Sequence, residues 1–263
     1  MKEKGRAQDK QEEIRFFERT GIDGADAEEW IERLKRLEEE DTSVFFDVAG
    51  LDAVTGANVL EAGCGIGMLG RRICQNGNTV IGIDITPKMV EIANSFGDEN
   101  YHAIVGDLED HDTFQDATFD LICCRMVLHH FRTTNRVMFN LSAWLKAGGR
   151  IIIFEPNGSS PIGRLSGLMA NFLKVFAKQY YLDAGIGTTN ETRHTAGIYV
   201  TELTRHNFRI LERRYFYFHN KPKPRKLLIH SVTYLLYLMY EGAYVLLPQR
   251  LRCPDLLIIA EKC

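Results

Sequence analysis

Residues 59–67 read Val59-Leu60-Glu61-Ala62-Gly63-Cys64-Gly65-Ile66-Gly67, and this stretch decides the fold. An apolar run ends in an acid, alternating glycines follow, and Met68–Ile73 continues with the pattern of a helix. Glycines let the backbone turn sharply and lie close to a ligand, and a strand–turn–helix places that ligand at the helix N-terminus. The stretch therefore predicts a strand, a ligand-binding loop and a helix.

The composition is that of an ordinary globular protein, with 45% hydrophobic and 25% charged residues. The formal net charge of −3 gives no reason to expect a nucleic-acid partner. The six cysteines form no CxxC pair, which favours reduced thiols over a disulfide framework or a metal site. Because Met1–Lys4 does not resemble a signal peptide, we expect a cytoplasmic protein.

Strand-like apolar runs alternate with helix-like segments through the middle of the chain. The runs are Asn58–Glu61, Thr79–Asp84, His102–Val105, Phe119–Cys124 and Arg150–Glu155, and the segments are Met68–Gln75, Pro87–Phe96 and Arg132–Leu145. This alternation predicts an α/β fold with a parallel sheet that helices cover on both faces.

The predicted domain organisation is an N-terminal helical cap, 1–50, followed by one α/β domain, 51–263. Residues 1–10 have a disordered composition, and Asp26–Glu29 resembles a capping box before a second helix. Helical lid insertions are expected at about 157–205 and 221–252.

Two further acids follow predicted strands. Asp84 ends the second strand, where a carboxylate can accept hydrogen bonds from both hydroxyls of a ribose. Asp107 follows the third strand, where a carboxylate can accept a hydrogen bond from an exocyclic amine such as that of adenine. A helix cap before Pro87 would also explain Asp84, and a loop cap would also explain Asp107.

Together these features resemble the class I S-adenosylmethionine-dependent methyltransferases, in the small-molecule group that includes quinone and sterol enzymes. The resemblance extends over about residues 55–156 and rests on four motifs, which are Val59–Gly67, Ile81–Asp84, Phe119–Phe131 and Leu145–Ile153. The chain departs from the family pattern in having Glu61 where aspartate is commoner, Ala147 where proline is usual, and the bulky Arg125.

The resemblance implies a Rossmann-like, doubly wound, seven-stranded sheet with an antiparallel last strand. Phe208–Phe218 and Asp255–Glu261 would complete that sheet. It also implies S-adenosylmethionine as cofactor and S-adenosylhomocysteine as product. The cofactor-binding residues would be Glu61, Gly63, Cys64, Gly65, Gly67, Asp84, Ile85, Asp107, Leu108, Cys124 and Arg125.

Two other functions use parts of the same pattern. Gly65–Gly70 satisfies the GxGxxG motif of NAD-dependent dehydrogenases, but that class explains neither Asp107 nor the Leu145–Gly149 turn. A protein that binds S-adenosylmethionine without methylating, either pericyclase-like or regulatory, would keep the whole cofactor pattern. Turnover to S-adenosylhomocysteine distinguishes it from a methyltransferase.

Candidates for catalysis and substrate binding follow the fourth and fifth strands. His129 and His130 are candidate general bases, although packing or capping at a helix start would also explain both histidines. The candidate substrate residues are Glu155, Asn157, Tyr180, Tyr181 and His194.

The expected acceptor is an oxygen or nitrogen of a small, hydrophobic molecule. The chain lacks the Asn/Asp-Pro-Pro-aromatic motif of nucleic-acid amino-methyltransferases after its fourth strand. Residues 227–247 are apolar and contain four tyrosines, with basic residues on both sides. Burial on the sheet or in a homodimer would explain this stretch, and so would contact of 221–252 with a membrane surface.

Overall fold

The computed structural model describes residues 10–15, 18, 27–161, 192–216, 248–253 and 255–263. The strands are β1 (Asn58–Ala62), β2 (Thr79–Asp84), β3 (Tyr101–Val105), β4 (Phe119–Arg125), β5 (Leu145–Pro156), β6 (Phe208–Phe216) and β7 (Asp255–Lys262). The longer helices are α1 (Ala27–Val48), α2 (Met68–Cys74), α3 (Pro87–Ser95), α4 (Asn135–Trp144) and α5 (Ala196–Arg205). A short helix, α6 (Gln249–Arg252), precedes β7.

These strands form one seven-stranded sheet in the order β3-β2-β1-β4-β5-β7-β6. Strands β1 to β5 pair in parallel, whereas β7 pairs antiparallel with both β5 and β6. The predicted doubly wound sheet with an antiparallel last strand is therefore confirmed. The strand order reverses between β1 and β4, and ligands bind outside the carboxyl ends of the strands at such a point.

Alternate residues of the central strands pack on opposite faces of the sheet. In β1, Leu60 and Ala62 belong to the core on one face, with side chains of α4 and α5, whereas Val59 belongs to the core on the other. That second core contains side chains from α1, α2 and α3, including Phe45 and Leu69. Burial on both faces explains why the strands have near-continuous apolar sequences.

The sequence-based boundaries agree with the structure to within a few residues, except at β5. That strand begins at Leu145 rather than Arg150, because Leu145 pairs with Phe119 before the register shifts. Gly148, which has φ +75°, lies in the first part of the strand.

Parts of the predicted lids lie outside the described residues, namely 162–191 and 217–247. The division into a cap, a domain and two lids stays a prediction. Among the helices that the structure describes, none is long and apolar enough to span a bilayer.

Candidate active site

The glycine loop after β1 lies against the end of β2. The backbone N–H groups of Gly63 and Cys64 both donate to the carbonyl of Ile83, over 2.8 and 3.0 Å. The next donor along the loop, the N–H of Gly65, reaches Asp84 Oδ2 over 2.9 Å. The loop and the acid that follows β2 therefore form one hydrogen-bonded unit.

Close packing explains why the loop needs glycine. Gly63 has φ +68°, and a Cβ at this position would lie 2.3 Å from Val127 Cγ2 in the segment after β4. Gly67 has φ +77° at the start of α2, and a Cβ there would lie 2.5 Å from the hydroxyl of Tyr101. The glycines thus bring the loop into contact with β4 on one side and β3 on the other.

Replacing Gly63 by alanine is expected to destabilise the protein more than replacing Gly77. Both residues have positive φ, which costs about 1 kcal/mol for a residue with a Cβ. A Cβ at Gly77 meets nothing within 4 Å, so only Gly63→Ala adds overpacking, of about 1–3 kcal/mol. Denaturant unfolding of both variants measures the difference, and equal losses would contradict the packing explanation.

Glu61 lies beneath the loop and is only 5% exposed. Its Oε2 accepts hydrogen bonds from the Gly70 N–H at 3.1 Å and from the Tyr101 hydroxyl at 3.3 Å. Burial is the main cause that raises the pKa of the Tyr101 hydroxyl, so this group stays protonated and donates. Contact between Glu61 and the methionine ammonium stays a prediction. The sequence did not predict Tyr101, which supports the loop through its contacts with Glu61 and Gly67.

Each carboxylate oxygen of Asp84 accepts a hydrogen bond from a backbone N–H. Oδ2 accepts the N–H of Gly65 and Oδ1 accepts the N–H of Thr86, each over 2.9 Å. A carboxylate oxygen has two lone pairs, so both oxygens can still accept a hydroxyl. Burial raises the pKa of the Asp84 carboxyl, while the two backbone N–H groups act in the opposite direction. The arrangement fits two ribose hydroxyls.

Asp107 has one oxygen engaged within its own loop. Its Oδ1 accepts the Glu109 N–H over 2.9 Å, and its Oδ2 is paired with the ammonium of Lys10. The neighbouring Leu108 is buried, and its carbonyl accepts a hydrogen bond of 2.8 Å from Asn140. Lys10 is helical and pairs with two acids, which is a correction at this residue of the disordered composition of 1–10; residues 1–9 lie outside the described residues.

His129 and Glu155 form a buried pair. Glu155 is fully buried at the end of β5, and its Oε2 lies 2.7 Å from His129 Nδ1. The same carboxylate accepts three consecutive backbone N–H groups, from Val127, Leu128 and His129, over 2.8, 2.7 and 3.2 Å. Glu155 therefore fixes the segment after β4. Its predicted contact with a substrate stays a prediction.

His130 contacts the N-terminal helical segment. Its Nδ1 lies 2.7 Å from Oε1 of Glu13, which belongs to the N-terminal helical segment. The rings of His129 and His130 are 4.1 Å apart. His130 is also close enough to Asp84 to lower the pKa of that carboxyl, a smaller influence than burial. His130 is therefore the candidate base that lies near the proposed ribose acid, with His129 beside it.

The remaining predicted cofactor residues lie at the ends of β4 and β2. Cys124 is fully buried, Arg125 is partly exposed, and Ile85, at the end of β2, is also partly exposed. Met126, which the sequence did not predict as a site residue, follows β4 with φ +56° and is 40% exposed. A non-glycine residue with this backbone is uncommon and is often found at a functional site. The sequence has no signal for it.

Two predicted substrate residues, Asn157 and His194, are buried and contact backbone carbonyls. Asn157 donates to the carbonyls of Arg250 and Cys253, over 2.8 Å in each case. His194 Nε2 lies 2.8 Å from the Phe131 carbonyl. These bonds tie the C-terminal strands and the segment before α5 to the site. Tyr180 and Tyr181 lie outside the described residues.

Comparison with known proteins identifies this arrangement. The family described as "Methyltransferase domain" matches residues 60–153, which run from the glycine loop into β5. The match of these residues confirms the resemblance to the class I S-adenosylmethionine-dependent methyltransferases that the sequence motifs indicate. The GxGxxG match at Gly65–Gly70 lies within the residues that match this family.

Curated relatives of this chain match it over part of their length. A ubiquinone biosynthesis O-methyltransferase of Xylella fastidiosa is 31% identical over 108 residues, which is 40% of this chain and 44% of the relative. One of Coxiella burnetii is 28% identical over 127 residues, or 48% of this chain and 50% of the relative. The match thus spans about half the length of these relatives.

Solved structures of low identity share the fold. A SAM-dependent methyltransferase from Archaeoglobus fulgidus has a TM-score of 0.59 and 16% identity, covering 87% of this chain and 94% of its own. The [4+2]-cyclase SpnF has a TM-score of 0.52 and 15% identity, covering 88% of this chain and 80% of its own. These likenesses concern the fold alone.

Proposed function

We propose that this protein transfers a methyl group from S-adenosylmethionine to an oxygen or nitrogen of a small, hydrophobic molecule. The observation that carries the proposal is the convergence of the glycine loop, Asp84, Asp107 and the His129–Glu155 pair at one edge of the sheet. The matched relatives are named as O-methyltransferases of ubiquinone biosynthesis, which favours an oxygen acceptor.

The donors and acceptors of the site fit the cofactor. Asp84 offers two oxygens for ribose hydroxyls, and Asp107 Oδ2 suits the amine of adenine. The loop at Gly63 and Gly65 has no Cβ that would keep a ligand away from the backbone. When bound, S-adenosylmethionine supplies an activated methyl group, so the protein must align the acceptor and exclude water.

His129 is the better of the two candidate bases. A carboxylate only accepts hydrogen bonds, so Glu155 keeps the proton of the neutral ring on Nδ1 and leaves the lone pair on Nε2. Nε2 can then take the proton of an acceptor hydroxyl or amine. A positioned base contributes about 10²–10⁴-fold to the rate of such a reaction.

The hydrophobic nature of the acceptor rests on the sequence of residues 227–247. This apolar and aromatic stretch lies outside the described residues. We propose that 221–252 admits the acceptor or contacts a membrane surface. Vesicle co-sedimentation of the wild-type protein with neutral and anionic lipids tests the contact, and binding to neither lipid would contradict it.

Methyl transfer is tested with S-adenosylmethionine carrying a labelled methyl group. A panel of phenols and amines, each with and without an alkyl chain, provides candidate acceptors. The expected result is label in an alkylated acceptor and release of S-adenosylhomocysteine. Cofactor binding without transfer to any acceptor would favour the non-methylating alternative, and Asp84→Ala is the control with weakened cofactor binding.

A further inference from the structure

The N-terminal helical segment spans two ends of the proposed cofactor site. Lys10 pairs with Asp107 and, over 2.7 Å, with Glu109. One turn later, Glu13 lies 2.7 Å from His130 and is itself only 8% exposed. The segment is therefore attached at the acid proposed for adenine and at a histidine beside the acid proposed for ribose.

The Lys10 ammonium occupies the oxygen that the adenine amine would need. Oδ1 of Asp107 accepts the Glu109 N–H, and Lys10 is paired with Oδ2, the oxygen that this N–H leaves for another donor. Burial acts to lower the pKa of Lys10, but the hydrogen bonds to Asp107 and Glu109 outweigh it and raise the pKa, so the group is a cation. Unlike a backbone N–H, the ammonium neutralises the charge of the carboxylate as well as donating to Oδ2, and an amine hydrogen has to compete with it there.

We propose that Lys10 is an internal competitor for the adenine-binding oxygen of Asp107, and that residues 10–15 form a strap that the cofactor displaces. This inference rests on the proposed function, since it uses the adenine role of Asp107. Glu109 remains beside Lys10 as a second anion, so the ammonium keeps a partner when adenine takes Oδ2. Glu13 holds the far end of the same strap on His130.

The competition predicts that Lys10→Met tightens cofactor binding. Occupation of Oδ2 by Lys10 in about 70–90% of molecules raises the apparent Kd by about 3- to 10-fold for a ligand that needs this oxygen, because only the remaining fraction binds that ligand. Calorimetric titration of wild type and Lys10→Met with S-adenosylhomocysteine should therefore show a Kd about 3- to 10-fold lower for the variant. Lys146→Met removes an ion pair with Asp120 at the start of β4 and should leave the Kd unchanged.

The 6-deamino analogue of S-adenosylhomocysteine, in which hydrogen replaces the adenine amine, separates this competition from general loosening. It cannot donate to Oδ2, so Lys10→Met should not tighten its binding. An unchanged or higher Kd for S-adenosylhomocysteine, or an equal gain for both compounds, would overturn this inference alone. Failure of both proteins to bind S-adenosylhomocysteine would overturn the proposed function as well.

Discussion

Replacing Glu155 by glutamine is expected to lower turnover by about 10²–10³-fold while the affinity for S-adenosylmethionine changes little. Glutamine keeps one carbonyl oxygen for the N–H groups of Val127 and Leu128, which both bind Oε1 of the glutamate. Its amide group would replace Oε2 and donate to His129 Nδ1. The histidine would then carry its proton on Nε2 and could not act as a base.

A double-mutant cycle distinguishes this positioning role from a purely structural one. His129→Ala should lower turnover by a similar factor, and Glu155→Gln should add almost nothing in the His129→Ala background, because the two residues act as a unit. His129→Ala leaves the backbone contacts of Glu155 in place, so it tests the base even if Glu155→Gln folds poorly. His206→Ala, before β6, is a matched histidine control.

Additive losses from the two substitutions would contradict the paired role. Full turnover by His129→Ala would exclude His129 as the base and would leave His130 as the remaining candidate. The melting temperature of each variant shows whether a lost activity reflects unfolding.

Replacing Asp84 by alanine is expected to weaken cofactor binding by about 1.5–3 kcal/mol, or about 10- to 150-fold in Kd, for the lost charge-assisted hydrogen bonds. The carboxylate also accepts the N–H groups of Gly65 and Thr86, so its removal loosens the glycine loop itself. Calorimetric titration with S-adenosylhomocysteine measures the loss. Unchanged affinity would contradict the ribose assignment.

The same carboxyl predicts how binding depends on pH. Burial raises its pKa above the ordinary value of 3.8, so protonation begins at a higher pH than for an exposed aspartate. The protonated acid loses acceptor capacity, and the affinity of the wild type should therefore fall as the pH decreases through this raised pKa. Asp84→Ala has no carboxyl here, and the affinity of this variant should lack that acid-dependent decrease.

The sequence predicted the parts of the site that follow from strand periodicity. The ends of β1, β2 and β3 could be located because each apolar run stops at a glycine or an acid, and parallel strands bring those ends to one edge. The glycine loop and Asp84 were predicted in this way, and the Gly65 N–H donates to Asp84 Oδ2 over 2.9 Å.

Contacts between distant segments could not be predicted. Glu155 and Asn157 were assigned to substrate from their place at the end of β5. Nothing in the sequence indicated that Glu155 would bind the His129 ring and backbone N–H groups 26–28 residues away, or Asn157 backbone carbonyls 93–96 residues away. Lys10 gave no signal, since an isolated lysine in a charged terminus resembles a solvated residue. Only the fold reveals that Asp107 lies beside it.

Calorimetric titration of the wild type with S-adenosylmethionine, S-adenosylhomocysteine and NAD, in parallel, is the first measurement to make. The proposed function predicts micromolar binding of both sulfur compounds, through the glycine loop with Asp84 and through Asp107, and it predicts no binding of NAD. Binding of NAD, with neither sulfur compound bound, would contradict the assignment of this site.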